Sequence, residues 1–188
     1  RIVGEWAETI WTSGERFGTI GARRGGRLIE VTTFRAEAYQ PDSRHPHVAF
    51  GDDIAMDLAR RDFTVNAMAL ALPEPRLIDP FGGAEDLARS RLRTPLTADE
   101  SFSDDPLRML RAARFLASFG LTPEPAVVTS VEKLHHRLEI VSAERIRDEF
   151  DKLIVVEDPS AGLWFLHDTG LFGDFLPEIP GLRLEQDP

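Results

Sequence analysis

The chain has 188 residues, 42% of them hydrophobic, with no cysteine and a formal charge of −10. That length and apolar content suffice for one ordinary domain or two small ones with a real core, while the missing cysteines exclude a disulfide framework and thiolate metal sites and fit a reducing cytoplasm. No apolar run of membrane-spanning length and no charged-then-apolar leader is visible, and the negative charge opposes nonspecific attraction to polyanions, so any polyanion has to be met by local clusters of Arg.

The first element reads as an amphipathic helix carrying Ile2, Val3, Trp6 and Ile10, already under way where the sequence starts. From Phe17 to Arg35 two strands are expected around Arg23-Arg24-Gly25-Gly26, where the glycines supply the positive φ of a tight hairpin turn. The second strand, through Leu28, Glu30, Thr32 and Phe34 on one face, is β-branched and aromatic and carries a carboxylate in that row. Residues 36–51, polar and interrupted by Pro41 and Pro46, read as a mobile loop. A helix is expected from about Asp53, and Leu77-Ile78 reads as a short strand that ends in the turn Asp79-Pro80-Phe81-Gly82-Gly83.

Arg60-Arg61-Asp62-Phe63-Thr64-Val65-Asn66 sets two cations, a carboxylate and an amide against an apolar stretch. Asp62 is placed to cap a helix whose buried face would carry Val65, Met68, Ala69 and Leu72, with Asn66 one turn after Asp62 on the same side. The segment suits gripping a polyphosphate and a sugar, or it is a capped core helix with a surface Arg pair.

After Gly83 the pattern is helical: Ala84 to about Ser90, Pro106–Phe119, Pro125–Leu138, Ala143–Val155 and Ala161–Thr169, with no further strand expected. Asp104-Asp105-Pro106 starts a helix that Gly120 terminates, and Arg108, Arg111 and Arg114 recur on it as one basic stripe. Guanidinium groups bind phosphate oxygens through paired hydrogen bonds, so the stripe is a candidate anion site. Asp105 and Arg108 together offer an acceptor and donors that match the exocyclic amine and ring nitrogen of cytosine and adenine, whereas uracil and guanine present the opposite pattern. The alternative is a helix start whose acids only cap, with Asp104 and Arg108 as an i, i+4 surface pair.

Taken together these motifs resemble the class II nucleotidyltransferases, that is the tRNA CCA-adding enzymes and bacterial poly(A) polymerases. Glu30-Val31-Thr32-Thr33-Phe34-Arg35 is similar to the late palm strand, Arg60 to Asn66 to the sugar and triphosphate motif, and Asp79 to Gly83 to the link into the neck. Asp104 to Arg108 is similar to the protein template that reads the incoming base, and Ala143-Glu144-Arg145-Ile146-Arg147 to a later neck-helix motif.

The resemblance implies an α+β chain: a partial palm with a mixed sheet and helices over 1–83, a helical neck over 84–157, and the start of a helical body over 158–188. It places Arg61, Asp105, Arg108, Arg111 and Arg114 on an incoming ATP or CTP and Asp62 and Asn66 near its sugar. Glu30 becomes a third carboxylate near two Mg²⁺ ions, and the 3′ end of tRNA becomes the partner. CCA addition is preferred over A-addition alone and poly(A) synthesis, because Asp105 and Arg108 fit both C and A; a noncatalytic nucleotide- or RNA-binding module is the competing class. The sequence departs from the family twice. Asp104 stands where Glu is usual, and no Asp-x-Asp metal pair occurs anywhere. The expectation is that such a pair lies upstream of Arg1, that the helical body continues beyond Pro188, and that the chain as given is inactive.

Other features are read as ordinary. His45 and His47 are expected to be solvated, His167-Asp168 to be a polar helix edge, and Trp6, Trp11, Trp164 and the Phe residues around 115–119 to be core. Arg89, Arg91 and Arg93 form a cluster that either faces RNA or ends a solvated helix.

Overall fold

The computed structural model describes residues 2–13, 15, 18–40, 43–50 and 53–182, with the backbone alone at 2, 35–40 and 43–50. It divides into two units, Arg1–Asp57 and Leu58–Pro188. The architecture is α+β, with small sheets in the first part and predominantly helix after Gly83.

In the first unit a short helix, α1 (Ile2–Trp6), leads into β1 (Thr9–Trp11), β2 (Thr19–Arg24) and β3 (Arg27–Thr32). The three strands pair antiparallel in the order β1-β2-β3. Gly25 and Gly26 take φ of 55° and 75°, the left-handed turn expected of them. Ile10, expected in the helix, lies in β1 instead. The helix ends after little more than a turn, because the amide of Glu8 already donates to Arg23 O at 2.9 Å and β-branched Thr9 and Ile10 continue as strand. Trp6 and Trp11 are not core: they are 39% and 38% exposed, with the guanidinium carbons of Arg24 and Arg23 lying 5.4 and 6.0 Å from their ring centroids. Such cations over indole faces stabilise by roughly 0.5–1 kcal/mol at exposed sites.

Of residues 36–51, expected to be a loop, 36–40 and 43–50 belong instead to β4 (Arg35–Gln40) and β5 (Ser43–Phe50), an antiparallel pair, while 41, 42 and 51 lie outside the described residues. Their register shifts between Ala38 and Gln40, across from the segment holding Pro46. A residue with no N–H to donate is tolerated at such an irregularity, which is why proline content alone misled here.

The second unit begins within α2 (Ile54–Ala59), which Asp53 caps by accepting from the amide of Ala55 at 2.8 Å. Next come one 3-10 turn (Thr64–Asn66), a hairpin of β6 (Ala69–Ala71) and β7 (Arg76–Ile78), then α3 (Gly83–Ala88) and β8 (Arg91–Leu92). Two helices follow almost without a break, α4 (Ala98–Asp104) and α5 (Leu107–Phe119); then β9 (Thr122–Pro123), α6 (Pro125–Leu134), a 3-10 segment (His135–Ile140), α7 (Ala143–Ile154) and α8 (Ser160–Asp168). Two single-turn helices, α9 (Phe172–Phe175) and α10 (Glu178–Gly181), close the described residues.

Three expectations for this part change. The helix over 62–72 is absent: after the 3-10 turn the chain enters β6, and Leu72, expected in the core, is 74% exposed. The i, i+3, i+4 spacing of Val65, Met68 and Ala69 was short enough to suit either structure, and pairing with β7 decided it. Strand does reappear after Gly83, since β8 and β9 pair in parallel, with Thr122 N donating to Ser90 O at 2.7 Å and Glu124 N to Leu92 O at 3.0 Å. Two residues per strand leave no periodicity to read. Finally, α4 had no place in the expected series, although Thr97 and Glu100 form a capping box of the kind Thr-x-x-Glu announces.

Helix α5 is the axis of this unit. Leu107, Met109, Leu110, Ala112, Ala113, Phe115 and Leu116 are buried on it against α7, α8 and the β8/β9 bridge. Gly162 lets α8 cross closely: a Cβ there would stand 2.5 Å from Ala113 O. Phe115 is core as expected, but Phe119 is 58% and Trp164 63% exposed, because each falls on the solvent side of its helix.

The turn after β7 is held by Asp79, whose carboxylate accepts from the amides of Gly83 at 2.7 Å and Ala84 at 2.9 Å at the start of α3. This satisfies two of the amides that a helix start leaves without an intrahelical partner. Asp79→Ala is expected to cost about 1 kcal/mol, read as a lower midpoint in thermal unfolding; an unchanged midpoint would remove the capping role.

Candidate functional site

The segment Arg60 to Asn66 is bound to α5 at three successive places. The Arg108 guanidinium donates to Arg60 O at 2.6 Å, Arg111 donates Nε to an Asp62 carboxylate oxygen at 2.9 Å and contacts the same oxygen through Nη2, and Phe63 packs on Phe115 with ring centroids 5.1 Å apart. One helical turn of α5 thus separates each contact from the next. The stripe at 108, 111 and 114 is a local consequence of helix geometry, and the segment lies along it.

Asp62 is buried and does not cap a helix. One of its oxygens accepts from Phe63 N at 2.9 Å and stands 3.4 Å from Asn66 Nδ2, while the other takes Arg111. Asn66 is exposed, as is Arg61. The basic stripe is also compensated from the far side. Glu149, buried on α7, accepts from Arg114 Nε, lies 3.8 Å from Arg111 and takes Lys152 at 3.5 Å. Burial by itself would lower the Arg111 pKa, but the charges of Asp62 and Glu149 outweigh it and hold the guanidinium above its ordinary value. Arg111 and Arg114 also lie over the Phe115 ring, at 5.8 and 4.9 Å.

Arg108 is a buried residue. Its Nη1 donates to Ser101 Oγ at 2.9 Å, so α4 and the Arg60 carbonyl together fix the guanidinium. Asp105 lies at the α4–α5 junction, where it accepts from Leu107 N at 3.2 Å; its charged partner is Arg145 of α7, also at 3.2 Å. Sequence reasoning missed Ser101, Arg145 and Glu149 as members of this constellation. The available signal was the i, i+4 spacing of Arg145 and Glu149, which puts both on one face of a helix.

Of the cluster Arg89, Arg91 and Arg93, Arg89 does stand at the exposed end of α3, whereas Arg91 and Arg93 turn onto a buried acid. Asp86, buried completely, accepts from Arg91 Nε at 2.7 Å, Arg93 Nε at 3.1 Å and Thr64 Oγ1 at 2.6 Å, while Arg89 pairs with Glu85 at 2.7 Å. Burial would raise the Asp86 carboxyl, yet the hydrogen bonds from Thr64 and the two Arg residues hold it below the ordinary carboxylate value. Gly83 completes this junction: a Cβ there would lie 2.1 Å from Thr64 O, so α3 touches the segment after Phe63 backbone to backbone.

Glu30 sits in the first unit, in the row Trp11, Gly21, Glu30 across the sheet, beside a depression of about 350 Å³ lined also by Ser13, Thr19 and Leu28. Among the described residues no group of three His, Asp or Glu is arranged to hold a metal ion. The sequence holds no Asp-x-Asp pair, and the described residues by themselves do not fit a two-ion centre. His167 stands 3.0 Å from Asp168 at an exposed helix edge, as expected; the side chains of His45 and His47 lie outside the described residues.

This arrangement, a small sheet followed by helices with an Arg-rich helix clamping an Arg-Arg-Asp-Phe segment, matches known proteins over nearly its whole length. Residues 1–93 match the poly A polymerase head domain, and residues 120–182 match the probable RNA and SrmB-binding site of polymerase A. The CCA-adding enzyme of Lactobacillus gasseri is 37% identical over 176 residues, which are 93% of this chain and 43% of that protein. That of Lacticaseibacillus paracasei is 40% identical over 173 residues, 92% of this chain and 42% of the relative. The crystal structure of the Bacillus stearothermophilus CCA-adding enzyme in complex with CTP superposes with a TM-score of 0.78 at 34% identity, over 88% of this chain and 40% of that one. The Thermotoga maritima CCA-adding enzyme complexed with tRNA gives a TM-score of 0.69 at 30% identity, over 87% of this chain and 37% of that one. The chain belongs to the nucleotidyltransferase family of the CCA-adding enzymes and bacterial poly(A) polymerases. It spans about two fifths of the length of the relatives it matches.

Proposed function

We propose that the protein to which this chain belongs is a template-independent tRNA nucleotidyltransferase that adds CCA from CTP and ATP with Mg²⁺, in the cytoplasm. The observation that carries this reading is the clamp of Arg60–Asn66 on α5, in which Arg60 O accepts from Arg108, Asp62 takes Arg111, and Asn66 stands 3.4 Å from Asp62. In this reading Arg61, Arg111 and Arg114 meet the triphosphate, Asp62 and Asn66 lie near the sugar, and Asp105 and Arg108 read the base. Residues 1–83 act as part of a palm, 84–157 as the neck, and 158–188 open the helical body. Glu30 serves as a carboxylate of the reaction centre. The two ions would polarise the triphosphate, and their principal ligands belong to carboxylates outside these 188 residues.

The relatives' shared name favours CCA addition over A-addition or poly(A) synthesis. Two measurements test the proposal. Titration of this chain with CTP and ATP is expected to show binding of both, with Arg108→Ala weakening both about tenfold or more; equal affinity in the variant would remove Arg108 from the site. Incubated with Mg²⁺, CTP, ATP and tRNA, the 188-residue chain is expected to give no 3′ extension, whereas the full-length protein adds C, C and A. Robust extension by the short chain would overturn the placement of the metal ligands, and a full-length protein that adds only A, or nothing, would overturn the CCA reading.

A further inference from the structure

Both members of the proposed base reader are held by other groups of the chain. Arg108 is tied to Ser101 and to the Arg60 carbonyl. Asp105 is tied to Arg145, whose Nη2 straddles the carboxylate at 3.2 Å from one oxygen and 3.5 Å from the other. A carboxylate at a helix junction otherwise rotates about its last torsion, since that terminal sp³–sp² bond has a broad, shallow profile. The amide of Leu107 fixes one oxygen and Arg145 spans both, so the plane of the group is set.

Arg145 is in turn placed by its own helix. Glu149, one turn further along α7, is buried and bound to Arg114 and Arg111, so one face of α7 is pinned to α5 at the second and third Arg of the stripe. Arg145 on that face then reaches the start of α5. The two i, i+4 residues form opposite halves of one clasp: Glu149 takes cations from α5, and Arg145 takes the carboxylate before it.

We infer that Arg145 is a specificity-determining positioning residue, which orients the Asp105 carboxylate so that it accepts from the exocyclic amine of cytosine or adenine and rejects the carbonyl of uracil or guanine. An ionised carboxylate has about four acceptor positions, and Leu107 and Arg145 leave room for one further donor. With its plane set, the free position has one direction, and a base that offers an acceptor there meets an acceptor. Without Arg145 the carboxylate turns to suit its surroundings, and discrimination falls before affinity does.

This inference rests on the nucleotide reading above, and the two fail differently. Affinities for CTP, ATP, UTP and GTP are measured calorimetrically on the 188-residue chain, its Arg145→Ala and Arg145→Lys variants, and Arg147→Ala as an exposed control on the same helix. Arg145→Ala is expected to narrow the CTP-to-UTP and ATP-to-GTP ratios about tenfold while CTP affinity itself falls about threefold or less. Arg145→Lys restores part of the ratio, because an ammonium supplies the charge without the planar fork, and Arg147→Ala leaves it unchanged. An Arg145→Ala variant as selective as the parent, or one losing affinity for all four nucleotides equally, overturns the positioning role and leaves the nucleotide reading intact. A parent chain that binds none of the four, or all four alike, overturns both.

Discussion

Replacing Asp86 by Ala is expected to destabilise the second unit by about 3–5 kcal/mol, since breaking a buried ion pair from one side strands the charges that remain. The Asp86 carboxylate is fully buried and takes Arg91, Arg93 and Thr64 at once. Its removal leaves the Thr64 hydroxyl without its acceptor. Partial compensation remains, because Arg91 also reaches Glu124 at 3.3 Å and Arg93 donates to Phe81 O at 2.6 Å, so the loss belongs toward the lower end of that range. Against a total stability of about 5–15 kcal/mol the effect is large, and in a chain of this size it corresponds to a fall of about 6–12 °C in the unfolding midpoint. A loss below about 1 kcal/mol would show that the junction is not held through this acid.

The same group sets part of the acid limb of the stability curve. Its carboxyl is held below the ordinary value of 3.8 in the folded chain. The unfolded chain therefore binds a proton more readily, and stability rises with pH across that interval. The contribution is present in full above about pH 4–5 and is lost as the pH falls through the lower folded value. Asp86→Asn, measured by denaturant unfolding at a series of pH values, should flatten that limb; an acid limb identical to the parent's would assign it to other carboxylates.

Phe63→Ala is the second large effect, with an expected cost of about 3–5 kcal/mol. Phe63 is wholly buried, its ring tilted 52° against Phe115 in the main core cluster. It is also the anchor between Asp62, which takes Arg111, and Thr64, which donates to Asp86. Truncation opens a cavity directly beneath the clamp, so nucleotide affinity should fall together with stability. Phe63→Leu conserves most of the volume and is expected to cost less than about 1.5 kcal/mol. Urea midpoints of both variants separate the cases: equal, small losses would mean that the segment is held by its polar contacts alone.

The residues of the candidate site were legible as types and as an order, but their partners were not. Asp62 does meet Arg111 and stand near Asn66, but from a buried position and not as a helix cap, and Arg108 reaches the Arg60 carbonyl. The basic stripe on α5 follows from a three-residue period, which any helix converts into a face. That Glu149 neutralises two of its members depends on the seating of α7 against α5, across 35 residues of chain in the Arg114 pair. Likewise, Arg91 and Arg93 read as a solvated or RNA-facing cluster because nothing local announces that Asp86 is buried between them.

Periodicity and turn residues by themselves determined the hairpin at Gly25-Gly26, the course of α5, α7 and α8, and the short strand before Asp79, because each depends on contacts a few residues apart. Pairing across longer distances decided the rest. The stretch after Asn66 became strand only because β7 lies opposite it, residues 35–40 and 43–50 paired as antiparallel strands despite Pro46, and Asp105 acquired Arg145 from a helix 40 residues away. Local sequence sets which conformations are cheap, whereas the burial of Phe63, Asp86 and Glu149 sets which of them the chain keeps.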